Sequence, residues 1–274
     1  MIEDRQILRD IWDGRIPVCF TLSQDEYTSP DQPDVYYLLV PRLSYFPIVS
    51  DKVVRFFSQY VQPDTQGEMW LEFQGQPLKW HYPIGVLYDL YAADQDQLPW
   101  NVIVHFQKFP ESELLRCGSR DAVESHFIAT VKEADALKHR GVVMSGMQKR
   151  DHKQLWSGLR DDKFEEFWTI NRRLMEQTVE NQFRSIPFRI YQIEQPLIQK
   201  LFQPLHEDGK PATLKELLEQ MLPSVLTPQP NNGGSRVLIQ GIEPPLETPL
   251  VWLSEYMSHP DNFLHICITS RSLP

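Results

Sequence analysis

Few side chains in this sequence could carry covalent chemistry, and its thiols are the first group to consider. The three cysteines, Cys19, Cys117 and Cys267, are widely spaced and form no CxxC pair, so neither a disulfide framework nor a cysteine metal site is predicted. Cys19 and Cys267 fall in predicted strands, where cysteine is usually a small buried hydrophobe. Cys117, beside Gly118 in a predicted loop, is the thiol best suited to a nucleophilic role.

Other catalytic patterns are missing from the sequence. It has no Gly-rich phosphate loop, no HExxH segment and no GxSxG segment. Of its eight histidines, His105 and His265 lie in predicted strands, and His139 and His152 lie in charged helical surroundings. A single strand histidine is more often structural than catalytic. We therefore predict no catalytic residue, no metal site and no cofactor.

A lysine amine could still accept an activated carboxyl group and form an amide bond. Residues 123–137 carry an apolar stripe at helical spacing, formed by Val123, Phe127, Val131, Ala134 and Leu137. At about 100° per residue, Lys132 points about 150° away from the centre of this stripe, whereas Lys138 falls close to it. The neighbours that would leave room for an enzyme to approach Lys132 are small: Ser125, Ala129 and Ala136.

This pattern is compatible with two roles for Lys132. It is either the amine that accepts the carboxyl group or an ordinary solvated lysine on a helix. A free lysine has a pKa of about 10.4 and is protonated at neutral pH. Glu133 and Asp135 should favour that charged form further. A conjugating enzyme would therefore have to supply the base that removes the proton.

The elements that would position these residues occur twice in the same order. Residues 17–106 read as strand, strand, helix, strand, short helix and strand, and residues 187–268 repeat that order. In each set a proline opens the short helix, Pro83 in PIGVLYDLY and Pro249 in PLVWLSEYM. This order is the outline of a ubiquitin-like β-grasp. A coincidental mixture of α and β elements is the alternative.

The first set carries specific expectations. Residues 36–40 are continuously apolar, which predicts a central strand buried on both faces. Ser50 is expected to cap the helix that follows, and Gln74-Gly75 is expected to form a hairpin turn. Ahead of the set, residues 2–12 predict a short amphipathic helix, which is too short to be stable unless it docks on a neighbour.

The second set carries its own expectations. Residues 188–193 and 197–202 are expected to form the opening pair of strands. Thr213 and Glu216 predict a capping box at the start of a helix. Residues 227–235, TPQPNNGGS, predict a flexible surface loop.

The block between the sets, residues 121–176, has helical periodicity throughout. Its second apolar stripe consists of Leu155, Leu159, Phe167, Trp168, Leu174 and Met175. We therefore predict an α+β protein in which two ubiquitin-like β-grasp domains flank a helix-rich domain, with a short N-terminal helix. The predicted boundaries are 1–15 for the helix, 16–108 for the first ubiquitin-like domain, 119–185 for the helix-rich domain and 186–274 for the second ubiquitin-like domain.

Composition limits the kinds of partner. A formal net charge of −10 argues against a nucleic-acid binder, because phosphate neutralisation needs a positive surface. The sequence ends in SRSLP rather than in the glycine that a ubiquitin-like modifier uses, so we expect a platform and not a transferable tag. The charged N-terminus and the absence of a run of ~18 apolar residues predict a cytoplasmic protein that could visit membranes peripherally.

Long and distinctive stretches of the sequence closely resemble the animal autophagy protein 5 family, and the likeness covers essentially the whole chain. Those that carry the resemblance include ILRDIWDGRIPVCFTL, YYLLVPRLSYFPIVSDKV, PLKWHYPIGVLYDL, KEADALKHR, KDHKQLWSGL and GIEPPLETPLVWLSEYMSHPDNFLHI. The resemblance implies two ubiquitin-like domains around a helix-rich domain. It also implies that Lys132, in KEADALK, forms an isopeptide bond with the C-terminal glycine of the ubiquitin-like autophagy protein 12, through activating and conjugating enzymes.

The resemblance implies further partners. The family conjugate binds the N-terminal helix of autophagy protein 16 in a groove made by the N-terminal helix and both ubiquitin-like domains, and Arg42 in PRLSY matches a position implicated in that contact. An arginine there could pair with an acidic residue of the partner helix, or it could be a solvated arginine at a strand end. The assembled complex is expected to act like a ligase, recruiting the conjugating enzyme that moves autophagy protein 8 homologues onto phosphatidylethanolamine at preautophagosomal membranes.

A basic run in the helical block consists of Lys149, Arg150, Lys153, Arg160 and Lys163. It could contact anionic lipid, although a charged helix face is the more frequent meaning of such a run. Two other functional classes stay open on the sequence. One is a double ubiquitin-like interaction module without covalent modification, and the other is a cysteine-dependent enzyme that uses Cys117.

Overall fold

The structure is a computed structural model that describes residues 2–27, 32–62, 67–93, 98–176, 182–227 and 234–270. The chain divides into two compact units, residues 14–125 and residues 1–13 together with 126–274. Residues 228–233 of the predicted flexible loop lie outside the described residues.

The described part of the 14–125 unit contains one five-stranded sheet, in the order β2-β1-β5-β3-β4. Its strands are β1 (Arg15–Leu22), β2 (Tyr36–Pro41), β3 (Trp70–Phe73), β4 (Gln76–Pro77) and β5 (Trp100–His105). Helices α2 (Phe46–Val49), α3 (Asp51–Phe57) and α4 (Ile84–Tyr91) contribute to the same core as the sheet. The central strands β1 and β5 are parallel and the other pairs are antiparallel.

Alternation of side chains on β1 explains how this core is filled. Ile16, Val18, Phe20 and Leu22 point to one face and are at most 2% exposed. Parallel pairing of β1 with β5 requires a long crossover, which the intervening helices and hairpin supply. The predicted ubiquitin-like fold is confirmed for this unit.

The prediction that residues 36–40 form a central strand is wrong. Strand β2 lies at the edge of the sheet beside β1, and the side chains of Tyr37 and Leu39 are 65% and 61% exposed. The opposite face of β2 is packed on the core, with Val40 fully buried. An unbroken apolar run is therefore compatible with an edge strand, since the run by itself does not determine the neighbours of the strand.

Two local expectations for the first unit had different outcomes. Gln74 and Gly75 have φ angles of 50° and 80°, as a tight hairpin turn between β3 and β4 requires, so this turn is confirmed. Ser50 precedes α3, but its side chain does not cap that helix. The backbone N–H of Ser50 donates to Phe46, and its carbonyl accepts from Val54, so α2 leads directly into α3 and a side-chain cap is not needed.

The other unit contains the N-terminal helix, a helical bundle and the second sheet. The helices are α1 (Ile2–Trp12), α5 (Arg120–His139, in this unit from residue 126), α6 (Val142–Ser145), α7 (Lys149–Arg160), α8 (Phe164–Met175), α9 (Leu214–Met221) and α10 (Leu250–Tyr256). The strands are β6 (Phe188–Gln192), β7 (Ser235–Leu238) and β8 (Leu264–Ser270). Within the described residues the sheet has the order β6-β8-β7, with β6 parallel to β8.

Helix α1 docks on α8 through its last turn. The Trp12 ring lies 5.8 Å from the ring of Phe164 and 5.1 Å from that of Phe167, measured between centroids. Arg9 pairs with Glu165 at 2.9 Å, and Arg5 also pairs with that carboxylate. These contacts supply the neighbour that such a short helix needs.

Helices α7 and α8 approach each other closely at a glycine. A Cβ atom placed on Gly158 would lie 2.7 Å from the backbone nitrogen of Phe167 and 2.8 Å from its Cα atom. Such distances are too short for carbon, so only glycine permits this packing. The predicted helical block is thereby a tightly packed bundle.

The second β-grasp is less regular than the first. The capping box of Thr213 and Glu216 is confirmed, with the Thr213 N–H donating to Glu216 at 2.8 Å and the Glu216 N–H donating to the Thr213 hydroxyl at 3.4 Å. The prediction of a strand at residues 197–202 is wrong, because this segment makes only an isolated bridge.

That segment nevertheless follows an antiparallel register beside β6. Ile190 and Ile198 exchange two backbone hydrogen bonds, of 2.9 Å and 3.1 Å, and the Ile186 N–H donates to Phe202 in the same register. Prolines bound the segment at positions 196 and 204, and proline has no N–H to donate to a ladder. The expected pairing is therefore present only in part.

Candidate conjugation site and partner-binding residues

Helix α5 places Lys132 at the surface. Phe127, Val131 and Ala134 form its buried face and are 0% exposed, whereas Lys132 is exposed, as the helical spacing predicts. Ala129, one turn before Lys132, is also exposed. An amine on such an open helix face can be reached by a second protein.

Glu133, next to Lys132, belongs to a network of hydrogen bonds at the surface. Its carboxylate accepts from Arg189 at 3.1 Å and from Gln199 at 2.5 Å, and Arg189 donates to Gln199 at 2.9 Å. The Arg189 guanidinium also lies 3.9 Å from the centroid of the Phe263 ring. This network fastens the exposed face of α5 to the second sheet, because Arg189 belongs to β6.

Asp135 and Lys138 lie on the buried side of the same helix. Asp135 accepts the backbone N–H of Met144 at 2.8 Å. Lys138 is 1% exposed, with its Nζ atom 3.7 Å from the sulfur of Met175 and 4.6 Å from the centroid of the Phe183 ring. Burial lowers the pKa of Lys138 to about 7. This amine is enclosed, so the two lysines of KEADALK have opposite accessibility.

Arg42, the predicted partner-binding residue, is engaged within its own unit. Both Asp89 carboxylate oxygens accept from its guanidinium at 2.6 Å, and the Arg42 and Asp89 side chains are only 14% and 4% exposed. The Arg42 carbonyl accepts the Gly85 N–H at 2.7 Å. The arginine thus fixes the end of β2 against α4, and its contact with a partner helix stays a prediction.

The sequence analysis did not identify Asp89 as the partner of Arg42. The contact with Arg42 joins residues 47 positions apart, which no local periodicity reveals. The signal available in the sequence is a carboxylate inside the otherwise apolar helix IGVLYDLY. A buried acid in such a helix requires a partner, since an unpaired buried charge is strongly unfavourable.

The basic run lies on the exposed surface of α7 and the turn after it, but much of its charge is paired. Arg160 binds Asp161 at 2.7 Å, and Lys163 binds Glu166 at 3.0 Å. Lys149 and Lys153 are exposed and form no ion pair with residues that the structure describes. They are the two positions of the run whose charge is available to an external partner.

The thiols offer little nucleophilic chemistry. Cys19 and Cys267 are 6% and 1% exposed. Cys117 is half-buried, and its pKa is raised to about 11, first by burial and then by the neighbouring carboxylate of Glu68. The thiolate is the nucleophilic form, so it is scarce at neutral pH.

Neither a metal site nor a membrane span is found in the described ranges. No group of three or more His, Cys, Asp and Glu side chains there could hold a metal ion. No described helix combines the length and the apolar character needed to cross a bilayer.

A buried polar cluster in the second sheet was also missed by sequence reasoning. His265 bonds to Asp261 at 2.9 Å through Nε2 and to the Tyr191 hydroxyl at 2.8 Å through Nδ1. Burial acts to raise the pKa of Asp261, but His265, Arg189 and His259 together outweigh it and hold this pKa well below its usual range. The side chains of Tyr191, Asp261 and His265 lie in the core, so the structural role expected for a strand histidine fits His265.

These features define a protein of two ubiquitin-like folds with a helical bundle between them in the chain and an open lysine on the bundle. The sequence matches three domain descriptions of one family: "Autophagy protein ATG5, UblA domain" over residues 11–106, "alpha-helical bundle region" over residues 120–177 and "UblB domain" over residues 185–268. The chain belongs to the autophagy protein 5 family, which supports a role in autophagy. The matched descriptions name ubiquitin-like and helical regions and no catalytic domain.

Individual relatives agree with this assignment. The chain is 45% identical to "Autophagy protein 5" of Drosophila melanogaster over 276 residues, which covers 100% of both chains. It is 32% identical to "Autophagy-related protein 5" of Caenorhabditis elegans over 97% of this chain and 98% of the relative. The crystal structure of Kluyveromyces marxianus Atg5 superposes with a TM-score of 0.80 at 19% identity, over 97% of this chain and 100% of that one, and so shares the fold.

Proposed function

We propose that this protein is a non-catalytic scaffold of autophagosome formation, which is conjugated through Lys132 to the ubiquitin-like autophagy protein 12. The observation that supports the proposal best is the contrast on α5, where Lys132 is exposed and Lys138 is buried. In the reaction the Lys132 amine attacks the thioester carbonyl of the modifier's terminal glycine. The C–S bond breaks, the enzyme's thiol leaves, and an isopeptide bond forms.

The surroundings of Lys132 suit an acceptor. Glu133 is held by Arg189 and Gln199, and Asp135 is buried against the backbone of Met144. The two carboxylates expected to favour the charged form of the lysine thus have other partners. The base that deprotonates the amine is, in this proposal, supplied by the conjugating enzyme.

Replacement of Lys132 by arginine tests the site. We expect K132R to abolish the higher-mass species on a denaturing gel, because arginine keeps the positive charge but is not an acceptor for this acyl transfer. K149R and K153R replace two other exposed lysines of the same bundle and should conjugate like the unmodified sequence. A conjugate that persists in K132R would contradict the assignment, and peptide mapping would then locate the modified lysine.

The conjugate is proposed to bind the N-terminal helix of autophagy protein 16 and to act like a ligase. It would recruit the conjugating enzyme of autophagy protein 8 homologues, and the lipid phosphatidylethanolamine would receive the modifier. Arg42 is the proposed contact with autophagy protein 16, and the protein would be cytoplasmic with peripheral recruitment to preautophagosomal membranes. Since Arg42 also holds Asp89, a loss of binding in an Arg42 variant counts only if that variant remains folded.

An interaction module without covalent modification is the second candidate, favoured by the packed apolar core of each ubiquitin-like fold. It predicts that protein purified from cells has only the mass of the chain, 32.2 kDa. Intact-mass measurement separates the two candidates. An enzyme that uses Cys117 is disfavoured by the raised pKa of this thiol.

A further inference from the structure

A cavity of about 230 Å³ lies within the 14–125 unit, and the proposed function does not use it. Its wall comes from three parts of the unit: helices α2 and α3, the hairpin region from residue 68 to residue 80, and residues 109–120 after β5. Most lining side chains are apolar, and four are aromatic: Phe46, Trp70, Trp80 and Phe109. Such a mixture is typical of sites for small apolar molecules.

The wall of this cavity is held in place by hydrogen bonds to the segment after β5. The indole N–H of Trp70 donates to the Gln107 carbonyl at 2.8 Å, and that of Trp80 donates to the Leu115 carbonyl at 2.8 Å. The Cys117 N–H donates to the carboxylate of Glu68. The segment is thus fastened along its length, and the cavity is preformed.

Charges at the edge of the cavity are paired. Asp51 forms an ion pair with Arg120, and Glu68 lies 3.6 Å from the guanidinium of Arg116. A charged ligand would therefore meet no unpaired charge of opposite sign among these groups. The site favours a neutral ligand.

One side-chain hydroxyl in the wall has no hydrogen-bond partner among the residues that the structure describes. Ser50 lines the cavity and is 4% exposed, yet its hydroxyl does not cap α3 and makes no other hydrogen bond within the described residues. A hydroxyl that lines a cavity and has no protein partner can accept a hydrogen bond from a ligand that reaches it with a donor, and such a bond adds to affinity.

We propose that this cavity binds a neutral bicyclic aromatic molecule of the size of indole, whose N–H donates to the Ser50 hydroxyl. The size follows from comparison, because an apolar cavity of about 150 Å³ in another protein holds benzene and this one is larger by roughly half. The surrounding rings can contact an aromatic guest edge-to-face.

Titration of indole and naphthalene into the full chain tests the proposal, with the methyl signals of Val54, Leu78 and Leu114 followed by NMR. We expect saturable shifts of these methyl groups with both molecules. Ser50→Ala should weaken indole about fivefold and leave naphthalene unchanged, because only indole has the N–H that the serine accepts. Shifts that do not saturate, or equal weakening of both molecules, would overturn the assignment.

A variant whose side chain fills the cavity provides a second test. Cys117→Trp places a large ring at the cavity and should weaken indole binding at least tenfold. Leu115→Trp is the matched control, since Leu115 lies on the same segment, is 65% exposed and does not line the cavity. Equal indole affinity in the two variants would show that the ligand binds elsewhere. If Cys117→Trp fails to fold, the affinities of Ser50→Ala for indole and naphthalene decide whether indole binds in this cavity.

Discussion

At the scale of single residues, the two lysines of KEADALK show how one helix gives the same side chain two environments. They are six positions apart on α5, and helical geometry places them on different faces. Lys132 keeps its hydration and is available to a partner. Lys138 lies among Met175 and Phe183, where burial disfavours its charge.

Replacement of Lys138 by methionine should stabilise the fold by roughly 1–4 kcal/mol at pH 6, since exchanging a buried charge for an apolar group of similar volume is often favourable. The pKa of Lys138 falls from 10.5 to about 7 on folding, so the unfolded chain binds more protons between these values. Stability of the unmodified protein should therefore rise from pH 7 to pH 10 through this group, and K138M should lack that rise.

Urea unfolding of both proteins at several pH values measures this difference. K132M is the matched control, because it removes an exposed lysine from the same helix. An unchanged difference between K138M and the unmodified protein from pH 6 to pH 10 would contradict the assigned burial of the charge.

At the scale of elements, the close packing of α7 on α8 requires a residue without a side chain. Gly158 of α7 lies against the backbone of Phe167 on α8, which cannot move aside as a flexible side chain could. Gly158→Ala should therefore destabilise the bundle by about 1–3 kcal/mol, although alanine is the better helix former.

Thermal unfolding of Gly158→Ala measures this cost. Gly118→Ala is the control, since a Cβ atom there would meet nothing within 4 Å. Equal melting temperatures for the two variants would show that α7 and α8 can separate without cost.

The strands show where element predictions fail. The segments 36–40 and 197–202 were both expected to be regular strands, and the first was expected to be buried on both faces. Burial of a strand depends on which neighbours it receives, and those neighbours come from distant parts of the chain. The first became an edge strand with exposed Tyr37 and Leu39, and the second pairs at only two points.

At the scale of the whole molecule, a formal charge of −10 opposes adsorption to an anionic membrane. Lys149 and Lys153, one helical turn apart on α7, are exposed cations without a described ion-pair partner. A lysine near an anionic surface contributes about 1 kcal/mol. The proposed membrane contact should therefore be weak and dependent on these two residues.

Vesicle sedimentation with phosphatidylserine-containing vesicles measures that contact. K149E/K153E should bind at least tenfold more weakly than the unmodified chain, and 0.5 M NaCl should remove the binding of both. K52E/K210E carries the same net charge and should bind better than K149E/K153E. If both double variants lost vesicle binding equally, binding would depend on net charge alone and not on Lys149 and Lys153.

The sequence by itself determined the order of the elements, the two β-grasp patterns, the helical block and the outward direction of Lys132. These properties follow from local periodicity, capping and turn chemistry, which act over a few residues. Only the tertiary structure decided that β2 is an edge strand, that Arg42 is held by Asp89 and that Met175 and Phe183 enclose Lys138. It alone formed the cavity beside Ser50 and the cluster around His265. The physical reason is that these features depend on contacts between residues far apart in the chain, whose pairing is set by the packing of whole elements.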